Sequence, residues 1–123
     1  MQTEEKVSEI IQEMADSMPG FIAAALVDLD SGITLGVFST RSDFDLTTAG
    51  AYNSEIVKQK LKVMDALGLD QDLEDITMTL SDQIHMIQLV NATSFLYLAA
   101  DKAMSNLAIV RNAISKHSPA LAS

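Results

Sequence analysis

Phe21-Ile22-Ala23-Ala24-Ala25-Leu26-Val27-Asp28 is uninterrupted apolar sequence up to its last residue. A strand with one face in water alternates apolar and polar residues, and this run does not. It reads as a strand covered on both faces. Pro19-Gly20 precedes it and Asp30-Ser31-Gly32 follows Leu29, both strong turn signals. Beyond the second turn Ile33, Leu35 and Val37 alternate, which predicts the return strand of a hairpin. A strand apolar on both sides needs a layer against each, so helices are expected on both faces of the sheet.

The flanking sequence supplies them. Thr3 is placed to cap a helix whose first turn carries Glu4 and Glu5, where negative charge suits the helix dipole. Val7, Ile10, Ile11, Met14 and Met18 recur at helical spacing until Pro19-Gly20 ends the run. After a polar loop over 39–45, a second helix is predicted from Leu46 to Leu67, closed by Gly68. Leu73 to Leu80 alternates, Ser81-Asp82-Gln83 turns the chain into Ile84 to Val90, and Asn91-Ala92-Thr93 turns it into Ser94 to Ala100. A last helix is expected from Lys102 to Lys116, with Ala103, Leu107, Val110 and Ile114 on its inner stripe. The order is helix-strand-strand-helix-strand-strand-strand-helix. Short turns between consecutive strands make the sheet antiparallel, so the class is α+β. Residues 3–117 are expected to form one domain and 118–123 a flexible tail.

Composition excludes several functions. Seventeen acidic against eight basic residues in 123 give a net charge of −9, a field that repels phosphate backbones, so no nucleic-acid partner is expected. Cysteine is absent, which removes disulfides, thiolate metal sites and a cysteine nucleophile and fits a reducing compartment. The acidic start is unlike a signal peptide, and no apolar run approaches the roughly 20 residues of a membrane helix. No membrane insertion and a cytoplasmic location are expected.

No catalytic constellation is evident, and the chain reads as non-enzymatic, without metal or cofactor. There is no phosphate-binding loop. Asp28, Asp30 and Gly32 open like a calcium loop, but Ile33 and Ser39 stand where that loop needs Gly and Glu, so a hairpin turn is the better reading. His85 reads as a satisfied strand histidine and His117 as a partner of a helix C-terminus. Ser81, Asp82 and His85 are too local for a triad. Asn91-Ala92-Thr93 reads as a turn despite matching a glycosylation sequon. Arg41 is either a solvated loop residue or an arginine finger acting in trans.

The second helix is the informative element. Leu46, Ala49, Gly50, Ile56, Val57, Leu61, Val63, Met64 and Leu67 fill an apolar arc roughly 160° wide, broader than one sheet face requires. Asn53 and Lys60 fall inside that arc. Lys58, Lys60 and Lys62 form the main basic cluster, with Glu55 and Asp65 within a turn of Lys58 and Lys62. The helix is either an ordinary amphipathic helix with a snorkelling lysine or one that also packs on another protein.

This order of elements, the Phe21–Asp28 strand leading to Ser31-Gly32, and Phe95-Leu96-Tyr97-Leu98-Ala99-Ala100 followed by Ser105-Asn106-Leu107-Ala108-Ile109-Val110-Arg111 resemble the dynein light-chain roadblock family, and its bacterial MglB-like branch in particular. The resemblance implies a profilin-like five-stranded antiparallel sheet with the second helix on one face and the first and last on the other. It implies a homodimer or heterodimer joined through the second helices and third strands, and a homodimer is expected here through Asn53, Ile56, Lys60, Met64, Ile76, Thr77, Met78 and Thr79. It also implies a small Ras-like GTPase as partner, for which Lys58, Lys60 and Lys62 are the expected contacts. The function expected is regulation of that GTPase's nucleotide cycle. The alternatives are an adaptor, like dynein light chains, that leaves turnover unchanged, and a small-ligand sensor.

Overall fold

The computed structural model describes residues 3–122, which form three helices and five strands: α1 (Glu4–Asp16), β1 (Phe21–Asp28), β2 (Thr34–Ser39), α2 (Leu46–Ala66), β3 (Asp75–Thr79), β4 (Gln83–Leu89), β5 (Ser94–Asp101) and α3 (Leu107–Ala122). The strands make one antiparallel sheet in the order β2-β1-β5-β4-β3. The expected class and element order are those observed. Among the described residues no helix is long and apolar enough to cross a membrane.

The two faces of the sheet each hold a core. Ala24, Leu26, Met86, Leu96, Leu98 and Ala100 pack against α1 and α3 through Val7, Ile10, Ile11, Met14, Val110 and Ile114. Ile22, Ala25, Val27, Ile87, Phe95, Tyr97 and Ala99 face the other way, under Leu46 and Val57 of α2. Residues Phe21 to Val27 and Ser94 to Ala100 are buried throughout, which is why neither central strand alternates.

Helix α1 starts where Thr3 Oγ1 accepts the Lys6 amide at 3.1 Å, and it lies against β2. Gly36 allows this approach, since a Cβ there would fall 2.6 Å from Val7 Cβ. The β2 amides that do not bond to β1 point out along the sheet edge, and the Val37 amide is taken up by Ser8 Oγ of α1 at 3.2 Å. Edge strand β2 is therefore blocked at Val37.

The expectations for the C-terminal part need correction. Lys102 to Asn106 is a turn instead of the first turn of a helix: the Asp101 carbonyl accepts the Met104 and Ser105 amides, and its carboxylate accepts the Ala103 amide. Helix α3 begins at Leu107, with Asn106 Oδ1 accepting the Ile109 amide as a side-chain cap. Ala103 and Leu107 are exposed. At the other end, 118–122 is helix and not a flexible tail. Pro119 removes one amide donor from the ladder, and burial of Leu121 holds the last turn. Ser123 lies outside the described residues. His117 accordingly sits inside the helix, its Nδ1 2.8 Å from the Ala113 carbonyl, and not at a helix end.

Candidate functional site

Asp45 caps α2, accepting the Thr48 amide at 3.0 Å and the Thr48 hydroxyl at 2.6 Å; these bonds hold its carboxyl below the usual range. Leu46, Gly50, Asn53, Ser54, Val57 and Met64 form the buried stripe. One flank lies along the β1–β2 turn. Gly32 there, at φ +75°, has no room for a side chain because Ser54 Oγ and Ala51 Cα lie within 3.2 Å of where its Cβ would be, and Lys58 Nζ donates to the Asp30 carbonyl at 2.9 Å.

The flank turned away from that loop carries an apolar row in solvent: Tyr52, Ile56, Val63 and Leu67 are 72%, 41%, 39% and 66% exposed. Exposed Lys60 stands within the same row, since the steps 52, 56, 60, 63 and 67 are each one helical turn. The broad apolar arc thus resolves into two stripes, one packed on the sheet and one free.

Of the residues expected at a dimer interface, Ile56 and Lys60 lie on the free stripe. Asn53 and Met64 do not: both are buried in their own chain, Asn53 Nδ2 donating to the Ala49 carbonyl at 2.7 Å. Ile76 and Met78 are half-buried on the α2 side of edge strand β3. Thr77 is half-buried and Thr79 exposed on the opposite side. The Leu80 amide bonds to the Gln83 carbonyl, so by antiparallel alternation Met78 and Ile76 bond to β4 while the Asp75, Thr77 and Thr79 amides point out from the sheet. Arg111 of α3 ties the start of β3 through Asp75, at 3.2 and 3.4 Å.

The basic cluster is not a single patch. Residues two apart in a helix are about 200° apart around it. Lys60 therefore falls in the free stripe, with Lys58 and Lys62 on the far flank. Lys58 is also held by Glu55 at 3.5 Å. Tyr52 was not visible as part of an interface, although its spacing of four from Ile56 was the available signal.

On the same side of the sheet a small polar cluster is set among aromatics. Tyr97 Oη is 3.0 Å from His85 Nδ1, and His85 Nε2 is 2.7 Å from Gln83 Oε1. Phe44 lies 6.5 Å from Tyr97, centroid to centroid. Burial depresses the His85 pKa and raises that of the Tyr97 hydroxyl to about 12, so both groups are neutral at pH 7. His85 is the satisfied strand histidine expected.

The other weak motifs are structural. Asp28 accepts the Ser31 amide and hydroxyl, which lower its pKa and close the hairpin turn. Asn91 Oδ1 takes the Thr93 and Ser94 amides and hydroxyls. Arg41 is exposed in its loop. A cavity of about 500 Å³ opens between Val7, Leu26, Thr34 and Leu121, but the Asn91 oxygen on its rim is already engaged. Among the described residues no three acidic or histidine side chains are grouped to hold a metal.

No protein-family model and no curated protein matches the sequence. Solved structures do match in three dimensions. A Roadblock/LC7 domain from Streptomyces avermitilis superposes with a TM-score of 0.82 at 13% identity, over 93% of this chain and 92% of that one. Myxococcus xanthus MglB gives 0.82 at 17% identity, over 95% and 92%. An MglB described as having a tetrameric arrangement gives 0.84 at 17% identity, over 97% and 87%. The chain therefore has the fold of the Roadblock/LC7 domain proteins, MglB among them.

Proposed function

We propose that the chain is a non-enzymatic regulator that pairs with a second copy through α2 and β3 and, as a pair, binds a small Ras-like GTPase and modulates its nucleotide cycle. One observation carries the reading: in a fold shared with MglB, the outer row of α2 is apolar and exposed, and β3 is an edge strand with outward amides. Isologous pairing of two such edges extends the sheet and covers both rows at once. Pairing assigns Lys60 to the covered face and leaves Lys58 and Lys62 on the far flank for the GTPase.

Thr77→Pro tests the pairing. It removes a donor that faces outward and leaves the β3–β4 ladder intact, so sedimentation should give a folded chain of 13.3 kDa where the parent gives twice that mass. A parent that stays monomeric at micromolar concentration refutes it. Joint reversal of Lys58 and Lys62 to Glu tests the docking. The variant should remain paired and lose GTPase binding, and parental binding should weaken with salt. Binding without any change in nucleotide turnover would favour the adaptor reading.

A further inference from the structure

We infer that His85, Tyr97 and Phe44 form a proton-operated latch on the entry of α2, closed while His85 is neutral and opened when it is protonated. Counting donors fixes the direction of the hydrogen-bond chain. Tyr97 is 2% exposed, and its hydroxyl has one partner, His85 Nδ1 at 3.0 Å. A buried hydroxyl proton without an acceptor is costly, so Tyr97 Oη donates and Nδ1 accepts. The ring proton is then on Nε2, which donates to Gln83 Oε1 at 2.7 Å. A second proton turns Nδ1 from acceptor into donor and leaves the Tyr97 proton without a partner. It also places a positive charge on a half-buried ring, where water is the only group that can solvate it. β3 faces the ring with Met78, β4 with Gln83, β5 with Tyr97 and the loop before α2 with Phe44. No charged group is close, and burial is the sole cause of the lowered pKa.

The strands cannot yield, but Phe44 can. Its ring lies 6.2 Å from His85 and 6.5 Å from Tyr97, and it belongs to a loop where the others belong to the sheet. Phe44 directly precedes Asp45, which caps α2 through the Thr48 amide. Lifting Phe44 admits water to the imidazolium and pulls on the first turn of the helix. Since α2 carries the exposed row from Tyr52 to Leu67, the seating of that row follows pH. This coupling is independent of what binds there.

The test is an NMR titration of the full chain from about pH 8 downward. Imidazole nitrogen shifts should show the Nε2–H tautomer of His85 at the alkaline end. As the ring titrates, the amides of Phe44 to Ala49 should shift with the His85 midpoint. The Asp45 carboxyl, held below its usual range, stays ionised through that step. The Thr48 and Ala49 amides both bond to Asp45, and their exchange protection should fall about tenfold, as for one lost hydrogen bond. Phe44→Ala admits water in advance, so the His85 midpoint should rise and the two amides should lose their pH response. His85→Gln should abolish that response as well. An Nδ1–H tautomer, titration of His85 without movement at 44–49, or an unchanged response in His85→Gln each overturns the latch. The parental titration decides by itself if either variant fails to fold.

Discussion

Gly36→Ala is the sharpest test of how α1 is seated. The new methyl would fall 2.6 Å from Val7 Cβ, nearer still to Val7 Cγ1, and 3.2 Å from the Glu4 carbonyl oxygen. Two of these three obstacles are a Cβ and a backbone atom, which no rotamer change can move, so the helix itself must lift. Overpacking a close-packed core costs about 1–3 kcal/mol, and the rigidity of the obstacles sets the expectation at the upper end. Lifting α1 also breaks the Ser8–Val37 bond, about 1 kcal/mol more. A total of about 4 kcal/mol should lower the urea midpoint by at least about 1 M, measured at fixed protein concentration because any self-association would add to apparent stability. Val7→Ala in the same chain removes Cγ1 but leaves Cβ. The double variant should therefore be less damaged than the sum of the single ones, by about 1 kcal/mol, without returning to the parent. A Gly36→Ala midpoint matching the parent would refute the packing of α1 over β2.

Two further outcomes follow from the core. Leu121→Ala, at a position 3% exposed, should cost about 2–3 kcal/mol in thermal or urea unfolding; a neutral result would return 118–122 to the status of a tail. Burial holds His85 below the usual histidine value, so below about pH 6.5 the unfolded chain binds the extra proton first. Its stabilising contribution is complete above that pH and is lost as pH falls through the folded value, and His85→Gln should flatten the stability curve below about pH 6.5.

What could be read from the sequence was local. The hairpin around Gly32, the Thr3 cap, the end of α2 at Gly68 (φ +69°) and the turn at Ser81-Asp82 are each written in a few adjacent residues. The end of α3 was not legible, because Pro119 signals a stop and the reason to continue, burial of Leu121, lies in other elements. Nor was the start, where the Asp101 carboxylate captures the Ala103 amide before a helix can form. For the candidate site, hydrophobicity alone merged two stripes of α2 into one arc. Separating Met64 from Ile56 requires knowing that the distant Gly32 turn and the sheet lie on particular flanks. The lysine cluster dissolved for the same reason: adjacency in sequence is nearly opposition around a helix.

The unequal treatment of the two sheet edges limits growth. At β2 the Ser8 hydroxyl occupies the Val37 amide and α1 lies against the strand, whereas β3 ends the sheet without such a cover among the described residues. A block with two sticky rims polymerises, each addition exposing another rim, as in cross-β fibres. A block with a single sticky rim is spent after one addition. On the pairing proposed above, association along the sheet would therefore stop at a unit of two.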